Sequence, residues 1–497
     1  MSLPRIGVQR LLQLVFLGFL FVAEAQPLID TDLWWHLANG RYILAHGIPS
    51  VDVYSHTAVG HPWVVHEWLA DVTFYGVYQG LGIAGLVLLS AVVITLAGWM
   101  VYRLLRRGGL GTNSAVVMGV VLMLATTPSW GARPQVINFL FAGILCDRLL
   151  AYRERPGRAL YMLVPFFLLW ANLHSGYVVG LGLLAVFLAG EFLQTVSARL
   201  RGGRDEAVAR LGRRDVRRLA IVLVAGVLAG FATPGGYRTV LFPFGTLASS
   251  PIQGILAEWA SPDFHTWQAR LLLLSILVLV AGCAGWVRLA RMPDLTLVAW
   301  CLAGLTLALT SVRHVPIYAV AAAPLLGVAG SNLLAGVGFK PRPPRRPTPA
   351  MATANLAILA ALSLGAVFFV GTRVSGPAID RAVAAVEPVA ATDYLLTHHL
   401  PGELYNDYSY GGWLIWKAQP DYPVYIDGRT EVYGDATFNE YLITNQLNDG
   451  WQEPLDRHGV RTVMIGNGDR LKFLLEAKGW RLEYQDDLAR IYTRDHV

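Results

Sequence analysis

Charged residues are scarce in this sequence. Asp, Glu, Lys and Arg make up only 15% of the 497 residues, and hydrophobic residues make up 54%, whereas soluble proteins typically have about 25% charged residues. The net charge is +6, but the basic residues lie in short clusters between apolar runs, which is not the pattern of a nucleic-acid-binding surface. The composition therefore excludes a soluble globular protein and predicts a polytopic α-helical membrane protein.

Several motifs of soluble enzymes are also absent. The three cysteines, Cys146, Cys283 and Cys301, lie within or beside apolar runs and indicate neither a disulfide framework nor a zinc motif. His66-Glu67 lacks the second histidine of the HExxH signature, which argues against a zinc protease. In residues 374–497 neither G-x-G-x-x-G nor a P-loop is found, so this region has no nucleotide-binding fingerprint.

Apolar runs of membrane-spanning length are what the sequence has in abundance. We predict eleven spans, at about 8–25, 81–102, 113–128, 135–151, 159–173, 177–197, 218–233, 270–288, 294–311, 315–336 and 353–372. Alternate connections are basic, as in the run from Arg199 to Arg218 and the stretch from Lys340 to Arg346. The positive-inside rule then places the N-terminus in the cytoplasm, and the first loop and the C-terminal region outside. The chain start also resembles a cleavable secretory signal ending at Ala23-Glu24-Ala25, and cleavage would not change this sidedness.

Residues 27–80 form the first external loop, which is rich in aromatic and acidic residues. An amphipathic pattern over 29–45 predicts one interfacial helix, and a second is predicted to start near Pro62 or Trp63 and to continue into the next span. Asp30-Thr31-Asp32 precedes the first of these helices. Its two carboxylates are close enough to share one proton or one divalent cation such as Mg²⁺ or Mn²⁺.

The other polar residues near the spans lie at their predicted outer ends. The candidate substrate-binding residues are His66, Glu67, Arg133, Asn172, His174, Arg238, Glu258, Arg313 and His314. The membrane interior itself is nearly free of ionisable groups, whereas a transporter is expected to carry charge near mid-membrane. We therefore predict an outward-facing cavity at the outer interface.

The strings DTDLWWHLANGRYIL, DVYSHTAVGHPWVVHEWLAD, ARPQ, WANLHSGY, EWASPDF and YSYGGWLIW…YIDGRTEVY resemble a group of bacterial membrane proteins of the GT-C glycosyltransferase superfamily. This superfamily includes protein O-mannosyltransferases and lipid A aminoarabinose transferases. One departure is His66-Glu67-Trp68-Leu69, which stands where better-known members have a proline-containing string.

The resemblance implies an enzyme of the bacterial cytoplasmic membrane that acts at its outer face. Its reaction would be the inverting transfer of a hexose or pentose from a polyprenyl-phosphate carrier to an extracytoplasmic lipid, glycan or protein, without a redox cofactor. Asp32 or Asp30 would be the base that deprotonates the acceptor hydroxyl. Arg133, Arg238 and Arg313 would hold the lipid phosphate, since guanidinium groups match phosphate geometry.

Residues 1–373 are thus predicted to form the transmembrane domain, and 374–497 a small extracytoplasmic α/β domain, hereafter the C-terminal domain. In it ELYNDY, YPVYIDGR, RTVMIGN and ARIYTR are predicted strands, and GGWLIWKAQ, ATFNEYLITNQL, PLDRHG and RLKFLLEAKG are predicted helices. Polar residues cluster where strands would end, and they are expected either to bind a ligand or to hold the domain together. These are Asn406, Asp407, Asp427, Arg429 and Glu431.

Two other classes of function remain open at this point. The chain could be a non-catalytic scaffold for envelope-polysaccharide assembly, in which case replacement of Asp30 and Asp32 would be silent and loss of 374–497 would abolish function. It could also be a transporter of lipid-linked sugars, which would move lipid across vesicle membranes.

Overall fold

Helices account for most of the computed structural model, which describes residues 6–200, 211–248, 257–289, 293–339 and 347–495. The helices up to the C-terminal domain are α1 (Val8–Glu24), α2 (Leu33–His46), α3 (Trp68–Arg107), α4 (Thr112–Ala125), α5 (Val136–Glu154), α6 (Leu163–Leu173), α7 (Tyr177–Leu200), α8 (Arg213–Phe231), α9 (Tyr237–Ala248), α10 (Trp267–Leu289), α11 (Leu295–Thr310), α12 (Val315–Gly336) and α13 (Pro349–Arg373).

Each of the eleven predicted spans coincides with one of these helices. Within the described ranges, four helical segments are long and apolar enough to cross a membrane, namely Trp68–Arg107, Tyr177–Leu200, Val312–Gly336 and Pro349–Arg373. The chain is therefore a helical membrane protein, and the number and direction of its crossings stay predictions. Residues 201–210 and 340–346 of the basic connections, and the side chain of Cys283, lie outside the described residues.

Small residues let the membrane helices pack closely. Helix α12 is buried along most of its length, and its buried residues include many alanines and glycines. A Cβ atom at Gly327 would lie 2.3 Å from the carbonyl oxygen of Leu105 on α3, so only glycine permits this contact. Charged residues within the helical body are paired near helix ends, as in the ion pair between Asp147 and Arg107.

The two helices predicted in the first loop are present. Helix α2 is covered by protein, because all residues from Leu33 to Gly40 are buried, and its predicted position at the membrane interface stays a prediction. It crosses α3 so closely that a Cβ atom at Gly40 would lie 2.2 Å from the carbonyl oxygen of Asp71. Helix α3 begins at Trp68 rather than near Pro62, and Gly82, with φ of +62°, breaks it before the apolar span.

The C-terminal domain consists of α14 (Gly376–Ala384), α15 (Val389–His398), β1 (Leu404–Asn406), α16 (Gly411–Lys417), α17 (Thr430–Asn445), α18 (Glu453–Arg457), β2 (Thr462–Gly466), α19 (Leu471–Ala477), β3 (Arg481–Gln485) and β4 (Ala489–Thr493). Its sheet has the order β1-β2-β4-β3, with β1 parallel to β2 and the other pairs antiparallel.

The predicted strand YPVYIDGR is wrong. Its Val424 instead pairs with the first loop: the Val424 amide donates to the carbonyl of Tyr54, and the His56 amide donates to the carbonyl of Val424. The sheet contains β3 instead, a strand that was not predicted from the sequence. The backbone hydrogen bonds of Val424 therefore join the C-terminal domain to the first loop.

One hydrophobic cluster contains residues of both the first loop and the C-terminal domain. Trp35, Tyr54 and Trp63 of the loop are buried in it together with Tyr405 and Tyr425 of the domain. The indole of Trp34 also donates a 2.8 Å hydrogen bond to Glu387. Three of the four tryptophans of the loop are therefore nearly inaccessible to solvent and pack within the protein.

Candidate active site

A cavity of about 1010 Å³ lies where the first loop, the ends of the membrane helices and the C-terminal domain meet. Seven of the predicted substrate-binding residues and both aspartates line it, namely Asp30, Asp32, His66, Glu67, Arg133, His174, Glu258, Arg313 and His314. They come from five different connections in the sequence. The structure thus gathers them at one end of the helical body.

Two arginines and two carboxylates form a continuous row along this cavity. Arg133 Nε lies 3.1 Å from Asp30 Oδ2, and its Nη2 donates to Glu258 Oε2 at 3.0 Å. The other oxygen of Glu258 lies 3.0 Å from Arg313 Nη1, and the Arg313 guanidinium stacks 4.5 Å from the centre of the Trp259 ring. Burial opposes ionisation of Glu258, but Arg313 and Arg133 hold its pKa below the usual range. Glu258 is therefore an internal anion shared by both guanidinium groups.

Asp30 and Asp32 have different environments although only one residue separates them. Asp30 is held by Arg133, and its Oδ1 accepts the backbone amide of Asp32 at 3.0 Å. Asp32 Oδ1 accepts the indole N–H of Trp35 at 3.2 Å. Burial, together with repulsion from Asp30, raises the pKa of Asp32 to about 7. Asp32 therefore has a pKa suited to proton transfer near neutral pH, and Asp30 serves as an anchor for Arg133.

A second network of histidines and carboxylates forms the neighbouring wall. Glu67 Oε1 lies 2.9 Å from His174 Nε2 and 3.2 Å from His66 Nε2, and Glu67 Oε2 lies 3.5 Å from His36 Nε2. The Nδ1 atom of His36 is 2.6 Å from Asp71 Oδ1. Burial alone would raise the pKa of Glu67, but His174 and His66 lower it well below its usual value.

The two histidines that contact Oε1 of Glu67 differ in protonation. His174 Nδ1 accepts the Gly176 amide at 2.7 Å, so this ring is neutral and donates to Glu67 through Nε2. His66 places Nδ1 3.2 Å from the Val64 carbonyl and Nε2 against Glu67. Although burial opposes protonation, Glu67 raises the pKa of His66 to about 9. His66 is thus a cation at neutral pH.

Two groups of residues have the chemistry of a metal site. Within the described ranges, His36, Glu67 and Asp71 offer ligand atoms that all lie within 4.8 Å of one another. The predicted pair, Asp30 and Asp32, is not in that group, and one oxygen of Asp30 is already paired with Arg133. In the His36 group, His36 Nδ1 already contacts Asp71 Oδ1, and in the predicted pair Asp32 Oδ1 already accepts the indole N–H of Trp35. Carboxylate oxygens are the ligands that Mg²⁺ and Mn²⁺ prefer, and a cation held by Asp30 and Asp32 stays a prediction.

The structure leaves two predicted residues away from the cavity. Asn172 accepts the indole N–H of Trp68 at 2.9 Å and does not line the cavity. Arg238 is exposed at the start of α9 and is also not among the lining residues. The predicted role of Arg238 in phosphate binding thus has no supporting contact in the described part of the chain.

The polar cluster predicted in the C-terminal domain is mainly structural. Asn406 donates to the carbonyl of Ile426 and accepts the amide of Tyr425, and Asp407 accepts the amide of Ser409. Arg429 and Asp427 form a buried ion pair. The exception is Glu431, which lines the cavity together with three further residues of this domain that sequence reasoning missed, Tyr408, Gly428 and Thr430.

The fold of the chain is similar to that of solved GT-C glycosyltransferase structures. Archaeal oligosaccharyltransferase AglB from Archaeoglobus fulgidus, in complex with an inhibitory peptide and a dolichol-phosphate, is similar with a TM-score of 0.53 and 11% identity over 91% of this chain and 69% of AglB. Arabinofuranosyltransferase AftD from Mycobacteria is similar with a TM-score of 0.52 and 17% identity over 100% of this chain and 40% of AftD. ArnT from Cupriavidus metallidurans, bound to undecaprenyl phosphate, has a TM-score of 0.48 at 14% identity over 97% of this chain and 96% of ArnT.

These neighbours are GT-C glycosyltransferases, and the chain shares their fold. No protein-family model matches the sequence, and no curated protein matches it. The identities are low, so the comparisons establish the architecture, and the function has to be argued from the site.

Proposed function

We propose that this protein is an integral-membrane glycosyltransferase that moves a sugar, with inversion, from a polyprenyl-phosphate donor to an extracytoplasmic acceptor. The observation that carries the proposal is the row from Asp30 through Arg133 and Glu258 to Arg313, which lies in one cavity with Asp32. The row supplies two guanidinium groups for a phosphate, and Asp32 supplies a base. A hydroxyl nucleophile requires a base, and a phosphate leaving group requires positive charge.

The deeper part of the cavity fits the lipid portion of such a donor. Below the polar rim its lining is apolar and comes from the membrane helices α3, α5, α7, α11 and α12. The apolar lining residues include Ile94, Phe139, Val178, Val179, Leu183, Val186, Leu307 and Ile317. An isoprenoid chain placed among these side chains would bury its hydrocarbon surface while its phosphate reaches the arginines.

The proposed reaction is a single displacement at the anomeric carbon. Asp32 accepts the proton of the acceptor hydroxyl while the acceptor oxygen forms a bond to the anomeric carbon. The bond between that carbon and the phosphate oxygen breaks, and polyprenyl phosphate leaves with the electron pair. Arg133 and Arg313 stabilise the negative charge that develops on the phosphate. Attack from the face opposite the phosphate inverts the anomeric configuration.

A divalent cation would be held by Asp30 and Asp32, whose carboxylate oxygens suit Mg²⁺ or Mn²⁺. When bound, it would supply further positive charge to the departing phosphate. The steps assigned to Asp32, Arg133 and Arg313 do not depend on it. Comparison of transfer rates in EDTA with rates after the addition of Mg²⁺ or Mn²⁺ tests whether this cation takes part.

Replacement of Asp32 tests the proposal directly. In reconstituted membranes supplied with radiolabelled polyprenyl-phosphate pentoses and hexoses and an envelope extract, Asp32→Asn is expected to reduce transfer about 10²- to 10⁴-fold, as loss of a general base does. Asp263→Asn is the matched control, since Asp263 is an exposed carboxylate that contacts only His265 among side chains of the described residues.

Full transfer by a protein carrying both Asp30→Asn and Asp32→Asn would refute the enzyme proposal. If deletion of 374–497 nevertheless abolished function, this result would favour the scaffold alternative. Binding of undecaprenyl phosphate is measured on the same preparations, because it shows whether a variant without transfer activity still has an intact donor site.

A further inference from the structure

The C-terminal domain supplies one wall of the cavity. Tyr408, Gly428, Thr430 and Glu431 line it, and they belong to two short segments of that domain. The remaining walls come from the first loop and the membrane helices. The cavity is therefore complete only when the C-terminal domain is in place.

A buried ion cluster fixes this wall to the first loop. Arg429, between two of the lining residues, is completely buried and has Nη1 2.7 Å from Asp52 Oδ1 and Nη2 2.6 Å from Asp427 Oδ2. Its guanidinium lies 4.9 Å from the ring centre of Tyr54 and 4.6 Å from that of Trp63. Separation of the two segments would leave unpaired charges in an apolar environment, so residues 428–431 hold a fixed position above the loop.

The wall directly contacts the proposed base. A Cβ atom at Gly428 would lie 1.9 Å from Asp32 Oδ1 and 3.2 Å from the indole nitrogen of Trp35. Only glycine allows the backbone of the C-terminal domain to approach this carboxylate so closely. An acceptor whose hydroxyl reaches Asp32 must therefore lie against this wall.

The polar groups of the wall are available to a ligand. Within the described part of the chain, neither the Tyr408 hydroxyl nor the Glu431 carboxylate makes a hydrogen bond or ion pair with another side chain, and both residues line the cavity. Glu431 lies in the first turn of α17, where the cations His66 and Arg429 interact with it electrostatically. A carboxylate, a phenol and the hydroxyl of Thr430 together recognise a compound with several neighbouring hydroxyl groups.

The charge of the wall narrows the class of acceptor further. The carboxylate of Glu431 interacts with that of Glu67 and with the His66 cation, whereas Arg133 and Arg313 belong to loops between membrane helices. A negatively charged acceptor would meet carboxylates, and a phosphate would be drawn to the arginines instead. An uncharged polyhydroxyl compound fits the wall best.

We propose that Tyr408, Thr430 and Glu431 form the acceptor subsite and that the acceptor is the uncharged sugar end of a glycan, bound with one hydroxyl at Asp32. This inference rests on the proposed glycosyltransferase function and adds the class of acceptor and the domain that recognises it. Glu431 is here a binding residue that accepts hydrogen bonds from acceptor hydroxyls.

Two binding measurements on the full chain in lipid nanodiscs test the subsite. Saturation-transfer NMR reports the binding of methyl glucoside, methyl mannoside, methyl arabinofuranoside and methyl glucuronide. Quenching of tryptophan fluorescence, with Trp35 and Trp259 in the cavity wall, reports the binding of undecaprenyl phosphate. The NMR measurement tests the proposed acceptor subsite, and the fluorescence measurement tests the proposed donor site.

Glu431→Gln is expected to weaken binding of the best neutral glycoside about ten-fold, because it removes the charge from a hydrogen-bond acceptor, and to leave undecaprenyl phosphate affinity within about two-fold. Tyr408→Phe and Thr430→Val should also weaken glycoside binding. Because three different variants are measured, the test does not depend on the correct folding of any one of them. Glu453→Gln, at an exposed carboxylate of the same domain, should change neither affinity.

Several results would overturn the inference. These are the absence of binding by any neutral glycoside, tighter binding of methyl glucuronide than of methyl glucoside, or unchanged glycoside binding by the Glu431, Tyr408 and Thr430 variants. Parallel loss of both affinities in all three variants would also count against it, because it would indicate a general structural role. If the unaltered chain instead binds glycosides but not undecaprenyl phosphate, the proposed donor, and not the subsite, is wrong.

Discussion

Replacement of Glu258 by Gln is expected to tighten binding of the donor phosphate. In the structure Glu258 takes the position of an anion between Arg133 and Arg313, with 3.0 Å contacts to each. A phosphate can engage both guanidinium groups only if it displaces this carboxylate. The variant keeps the size of the side chain and removes the competing charge.

The size of the effect follows from the exposure of the three side chains. Glu258, Arg133 and Arg313 are 29%, 17% and 23% exposed, so solvent screens both ion pairs in part. Each such pair contributes about 0.5–1 kcal/mol. Loss of both would favour the ligand by about 1–2 kcal/mol, which corresponds to a Kd about 5- to 30-fold lower.

The assay is titration of undecaprenyl phosphate, and of farnesyl phosphate as a short-chain analogue, into nanodiscs at low ionic strength. Quenching of Trp259, which stacks on Arg313, gives the Kd. Asp263→Asn on the same loop is the control and should bind like the unaltered chain. A Kd for Glu258→Gln that is equal to or higher than the control value would refute the reasoning, since Glu258 would then support the phosphate rather than compete with it.

Three further predictions concern Asp32 and the wall above it. Transfer activity should rise with pH through about 7, because the pKa of Asp32 is raised to about 7 and only its deprotonated form is a base. A pH–rate profile that is flat between pH 5.5 and 8.5 would contradict the role of Asp32 as the base. Gly428→Ala should lower transfer about 10- to 100-fold, because the added Cβ would displace the Asp32 carboxylate. The affinity for undecaprenyl phosphate should not change. The matched control is Gly468→Ala in the same domain, where a Cβ atom meets nothing within 4 Å. Arg429→Met should destabilise the chain by about 3–5 kcal/mol, because it leaves Asp52 and Asp427 buried without their cation. If the thermal unfolding midpoint and the proteolysis pattern matched those of the unaltered chain, the buried ion cluster would not hold the C-terminal domain in place.

The helices could be predicted from the sequence because long apolar runs have few alternatives in a membrane. The predicted span at 8–25 is the helix Val8–Glu24, and that at 315–336 is the helix Val315–Gly336. Both are set by local composition, and the outer ends of such spans could be recognised from their His, Arg and Asp residues. The sequence therefore also indicated which side of the protein carries the polar residues.

The contacts that complete the site could not be predicted in the same way, because they join residues that are far apart in the chain. Asp52 and Arg429 are separated by 377 positions, and nothing in either local pattern indicates the other. YPVYIDGR has the alternation of a strand, yet its Val424 bonds to backbone groups of Tyr54 and His56 in the first loop, and the local pattern does not indicate this partner. The same long-range docking placed Gly428 and Glu431 in the cavity, and it buried Trp35 and Trp63 of the first loop.

The distribution of charge in the cavity fits the direction of the proposed reaction. The two arginines belong to loops of the membrane helices, whose apolar side chains would hold the donor lipid. Asp32 and Glu431, the carboxyl groups with raised pKa values, lie where the first loop and the C-terminal domain meet. In glycosyl transfer the acceptor loses a proton and the leaving phosphate gains negative charge. A base is therefore needed on the acceptor side and cations on the donor side, and the two parts of the chain supply them separately.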